Sequence, residues 1–89
     1  MPATNICRQA IDLIVGDQAS HHGDSPKVHT NIAVLWSTFL GIPVAARDLA
    51  LMMVLLEVAR TKTGPFNIDD YVDAAGYPAI ATEVAGPDA

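Results

Sequence analysis

The stretch Asp48 to Arg60, DLALMMVLLEVAR, limits the possible folds more than any other part of this chain. Between Leu49 and Ala59 only Glu57 is polar. A helix lying on the surface of a globular domain shows a polar face that recurs every turn. This run shows none, so other helices are expected to cover it on most sides. A membrane span needs about 20 apolar residues. The run is shorter than that, and Arg47, Asp48, Glu57, Arg60 and Lys62 flank or interrupt it. The expected fold is therefore all-α: a compact bundle of four short helices, with an apolar central helix over about 46–61.

A chain of 89 residues makes one domain, and its ordered core is expected over about 4–84. Apolar residues make up 51% and charged residues 17%. That is more apolar surface than four short helices hide in one copy, so a homo-oligomer is expected. The net charge is −5, with only five Lys and Arg, and the pI is about 4.7. This balance argues against a nucleic-acid polymer as partner. A small anionic ligand needs only a few local cations or a helix N-terminus. Cys7 is the only cysteine, which leaves no intrachain disulfide or thiolate metal cluster and fits a reducing cytoplasm. It reads as a small core residue of the first helix. The N-terminus, MPATNICRQA, has no long apolar core behind a basic lead, so neither a signal peptide nor a membrane partner is expected.

Apolar spacing and breakers divide the chain. Helix one is predicted over Ala3 to Val15, with Thr4 or Asn5 as cap, Ile6, Ala10, Leu13 and Ile14 on one face, and Gly16 after it. Asp17 to Ser25, DQASHHGDS, reads as a polar loop. Helix two spans about Pro26 to Leu40, with Pro26 at its first position and an apolar stripe of Val28, Ile32, Leu35, Trp36 and Phe39. Helix three starts near Ala46 and is broken by Gly64-Pro65. Helix four opens at Asn67, with Asp70 completing a shortened capping box, and runs to about Val84. Its apolar side is read as Tyr71, Val72, Ala75, Ile80 and Val84. Ala74, Ala75, Gly76 and Ala79 form a thin ridge that another helix can approach, and Pro78 is expected to kink the helix. No stretch alternates as a strand would.

The acids of helix four carry the sharpest chemical signal. Asp69 and Asp73 are four apart, and Asp70 and Asp73 three apart, so each pair can share a face. Carboxylates so placed suit Mg²⁺, which keeps waters or phosphates on its remaining positions. Glu57 can join Asp70 and Asp73 as a metal ligand, reach solvent, or pair with Arg60. Asp69 and Asp70 also sit where the positive end of a helix favours acids. Arg60 and Lys62 can hold a phosphate or complement the helix C-terminus. Tyr77, four residues after Asp73, is placed to stack on a base. Trp36 reads as core or interface. His21 and His22, with His29 nearby, match no zinc-ligand spacing and read as a solvated loop or a lid.

The chain resembles a family of small proteins of unknown function encoded by phages and prophages. The likeness is carried by His22-Gly23-Asp24, Ile32 to Trp36 with Leu40-Gly41, Ala50 to Leu56 with Ala59-Arg60, and Asp69 with Tyr71 to Tyr77. It departs from the expected pattern at His22, Glu57 and Pro78. The order Glu57, Asp70, Asp73 is loosely similar to the MazG-like all-α nucleotide pyrophosphohydrolases, whose acids gather around Mg²⁺. The paired glutamates of their first motif are missing here, and Asp stands for Glu in the second.

These readings lead to a phage accessory protein in the host cytoplasm that binds a nucleotide-like small molecule without turnover, possible Mg²⁺ aside, and so sequesters a host defence signal. The ligand-binding residues would be Arg60, Lys62, Asp69, Asp73, Tyr77 and His22. The alternatives are a Mg²⁺-dependent pyrophosphohydrolase using Glu57, Asp70 and Asp73, and a protein-interaction module docking through helix three.

Overall fold

The computed structural model describes residues 1–15 and 25–86. The polar loop with His21 and His22, and the end of the tail, lie outside the described residues. The elements are four α-helices: α1 Ala3–Val15, α2 Ser25–Leu40, α3 Ala46–Thr61 and α4 Ile68–Ala85. No strand occurs among the described residues, and no helix is long and apolar enough to cross a membrane.

Local chemistry sets the boundaries. Gly41 follows α2 with φ of 72° and donates its N–H to Ser37 O at 2.9 Å. That left-handed conformation is one glycine adopts without steric cost. The chain then turns on Ser37. Its Oγ donates to Ala33 O at 2.7 Å, has Val44 O at 3.2 Å, and accepts the Val44 N–H at 2.8 Å. One hydroxyl thus clasps the 41–45 connector to the last turns of α2. Asn67 caps α4, its Oδ1 accepting the Asp69 N–H at 3.0 Å. α4 continues through Pro78, which is exposed.

The hub is α4. It packs against α1, α2 and, most extensively, α3. The central place predicted for α3 is therefore taken by its neighbour. Only one side of α3 is covered: Leu49, Ala50 and Glu57 are buried, while Leu51, Met52, Leu55, Leu56 and Val58 remain exposed. An all-apolar run carries no periodic signal of which side faces in, so that choice falls to the packing partner.

The buried apolar residues are few and small. They are Ala10, Ala33, Leu49, Ala50, Val72, Ile80 and Ala81. On α1 the predicted face of Ile6, Ala10, Leu13 and Ile14 does turn inward, while Cys7, read as a core residue, is exposed. On α2 the inward residues are Val28, His29, Ile32, Ala33 and Ser37. Leu35 and Phe39, assigned to the core stripe, are 67% and 89% exposed. On α4 the buried positions are Val72, Gly76, Ile80 and Ala81, and Tyr71 and Ala75 face out. Tyr71 instead lies beside Phe66, ring centroids 5.3 Å apart. The thin ridge has one clear use: Gly76 admits Ile14 of α1.

Candidate functional site

Residues from all four helices line a partly sheltered cavity of about 270 Å³. α1 supplies Leu13 and Ile14, and α2 supplies Val28, His29 and Ile32. Met53 comes from α3, and Asp73, Gly76, Tyr77 and Ile80 from α4. The positions follow from helical spacing. Asp73, Tyr77 and Ile80 recur at four and three residues along α4, and Ile32 lies four residues after Val28 and three after His29 on α2. Most of the wall is apolar, with polar groups at Asp73, Tyr77 and His29. A broader depression of about 570 Å³ over the 41–45 connector is shallow and has no titratable side chain in its lining.

His29 is 8% exposed. Its ring meets Tyr77 edge-on, centroids 5.8 Å apart and planes at 61°, a favourable arrangement for two aromatic rings. Sequence reasoning grouped His29 with a zinc possibility in the loop and missed it as a wall of the cavity. The available signal was its place one turn before Ile32 and Ala33.

The polar end of the site is crowded with acids. Burial raises the Asp73 carboxyl above its ordinary value. Asp69 and Asp70 push the same way, and Arg60 pulls it back. Burial also raises the Tyr77 hydroxyl, with Asp73 and Glu57 adding and Arg60 opposing. Glu57 lies behind them and is 1% exposed. Its Oε1 accepts from Arg60 Nη1 at 3.2 Å, while its Oε2 is buried with no hydrogen-bond partner. Desolvation raises Glu57; Arg60 lowers it, and Asp73 and Asp70 raise it further.

Asp73 and Tyr77 therefore reach one cavity, and Glu57, Arg60 and Asp70 sit within electrostatic range of it. Asp69 is exposed in the first turn of α4, and Lys62 is exposed as the C-cap of α3. Neither lines the cavity. His22 lies outside the described residues. Among the described residues no three His, Cys, Asp or Glu side chains are grouped to hold a metal ion. Glu57 is paired with Arg60, and Asp70 and Asp73 act on it through their charge.

The cavity is small. Ligand pockets commonly run to roughly 300–1,000 Å³, and this one lies just below that range. Its polar groups are one carboxyl, one phenol hydroxyl and one imidazole, set in an apolar wall.

Comparison with known proteins adds a lineage. A family model described as a domain of unknown function (DUF6378) matches residues 5–85. The Gene 55 protein of Mycobacterium phage L5 is 33% identical over 85 residues, covering 94% of this chain and 54% of that protein. The Gene 55 protein of Mycobacterium phage D29 is 32% identical over 73 residues, covering 82% of this chain and 48% of that protein. The chain spans about half the length of these relatives. No solved structure matches it. The similarities place the chain with small phage proteins.

Proposed function

The chain belongs to the family described as a domain of unknown function (DUF6378), and on that footing we propose that it is a phage accessory protein binding one nucleotide-like small molecule without turnover. The observation that carries this reading is the cavity in which Asp73, Tyr77 and His29 meet an apolar wall. A base would lie against Tyr77 and His29 and donate an N–H to the Asp73 carboxylate. Arg60, whose side chain is 60% exposed, would leave Glu57 to meet a phosphate, and Lys62 would add charge from the rim. Asp69 would act from outside, through its field on Asp73. Sequestering a host defence signal is the use such a pocket would serve.

Binding without turnover rests on the sequence. The paired glutamates that MazG-like pyrophosphohydrolases use for Mg²⁺ are missing, and Asp stands for Glu in the second motif. The test is calorimetry and native mass spectrometry against nucleosides, linear nucleotides and cyclic nucleotides, with and without Mg²⁺. One ligand per chain is expected, with affinity falling at least about tenfold in Asp73→Asn and Tyr77→Ala, roughly the loss of one good hydrogen bond or stacking contact. No retained ligand across the panel would refute the pocket. Release of pyrophosphate from a triphosphate would refute the absence of turnover.

A second reading, docking on another protein, is favoured by one observation: the outer faces of α2 and α3 expose large apolar side chains. A stoichiometric host or phage protein recovered with the purified chain would support it.

A further inference from the structure

The uncovered side of α3 has a regular build. Residues two apart on a helix point about 200° apart. With Leu49 and Glu57 buried, Leu51, Leu55 and Val58 must face away from the bundle. The same line continues to Asp48 at one end and Lys62 at the other. Asp48, Leu51, Leu55, Val58 and Lys62 are spaced three, four, three and four residues apart, the alternation by which two helices pack along a seam. All five are exposed. The two end positions are each seven residues from Leu55 and carry opposite charges, while Leu51 and Val58 lie four before it and three after it.

Area points the same way. A monomer of 9.4 kDa is expected to expose about 5,000 Å². This chain exposes 6125 Å². The surplus of about 1,100 Å² exceeds the ~800 Å² that each partner gives up in a standard interface. Among the described residues the buried apolar side chains larger than alanine are Leu49, Val72 and Ile80, a small core that leaves the lone chain short of stabilising contacts.

We propose that this stripe is the seam of a two-fold dimer and that its occupant is a second copy of this chain, with the two α3 helices antiparallel. In that arrangement Leu55 lies at the axis and Leu51 of each copy meets Val58 of the other. Asp48 of each copy faces Lys62 of the other. Arg47 lies beside the stripe with its Nε 3.9 Å from Asp48 Oδ1, an exposed pair from which Asp48 is free to turn to Lys62. The opposite side of α3 carries Met53 into the cavity, so the dimer leaves the cavity open and its assembly is a property separate from ligand binding.

Sedimentation velocity and light scattering on the purified chain test this across a concentration series. Wild type is expected as a dimer whose melting temperature rises with concentration, as association requires. Leu55→Lys is expected to shift it to monomer, or to unfold it if the contact holds the fold together. Val15→Lys, exposed on α1, is expected to leave the dimer intact. Asp48→Lys is expected to weaken the dimer about tenfold, and adding Lys62→Asp to restore it, because exchanging both charges recreates the pairing. A folded wild-type monomer at all concentrations overturns the proposal. So does a dimer that ignores Leu55→Lys, a charge exchange that fails to restore assembly, or a single chain bound to a foreign protein.

Discussion

Glu57 is the least comfortable side chain in the fold, and replacing it should stabilise the protein. The carboxylate is 1% exposed, and its Oε2 has no hydrogen-bond partner. A buried acceptor left unsatisfied costs about 1–3 kcal/mol. Against that stands one ion pair with Arg60, whose side chain is 60% exposed and can return to water. Such helical pairs are worth roughly 0.3–0.5 kcal/mol. Glu57→Met keeps the length of the side chain and removes both terms, so a net gain of about 1–2 kcal/mol is expected. For a domain of this size each kcal/mol moves the midpoint by about 4–8 °C, so the rise should be roughly 4–16 °C. The sign with pH follows from linkage. Glu57 is raised above 4.5 in the fold, so the folded state holds its proton more firmly than the unfolded state. Wild type therefore loses stability as pH rises from the ordinary glutamate value through the raised one. The advantage of Glu57→Met should be small below 4.5 and grow above it. Thermal and urea unfolding, followed by circular dichroism at fixed chain concentration, measure both. A variant less stable than wild type near neutral pH would refute the reasoning, because it would mean that Oε2 has a partner in solution.

Three further outcomes are expected. Gly76→Ala should stabilise by about 0.5–1 kcal/mol, because glycine is costly inside a helix and the new methyl would meet Ile14 at 3.7 Å, an ordinary contact; a lower melting midpoint would contradict this. Ser37→Ala should cost about 1–3 kcal/mol in urea unfolding by leaving the Val44 N–H without its acceptor. Binding of any donor ligand should weaken as pH falls, with a midpoint above 3.8 because burial and the neighbouring acids raise Asp73; calorimetry at several pH values reads it, and an unchanged affinity through that range would remove the carboxylate from the site.

The helices were legible because their ends are written in local chemistry. Gly41, Gly64-Pro65 and Asn67 mark boundaries by backbone conformation or capping, and these depend on few neighbours. The inward faces were legible where polar residues alternate with apolar ones, as on α1, where Arg8 and Asp12 face out and Ala10 and Ile14 face in. They failed for Leu35 and Phe39 on α2, for the outer side of α3, and for Tyr71 and Ala75 on α4. Leu35 and Phe39 are as apolar as any core residue, so only the position of α4 shows that they point away from it. The gathering of Asp73 and Tyr77 followed from spacing on one helix. The roles of His29 and Glu57 did not, since both depend on which helix lies across from them. The aromatic neighbour of His29 is Tyr77, 48 positions further along the chain.

One consequence follows from the place of α4. Three helices lean on it, and of the four it is made last. While the ribosome is still adding residues before Ile68, α1 has no surface to dock on and α3 has lost its main support. The first three helices, with little more than the contact between α2 and α3 to hold them, must wait until α4 clears the exit tunnel. Folding of this protein is then a late, concerted event, and the interval before it is when nascent chains are most exposed to chaperones or to one another.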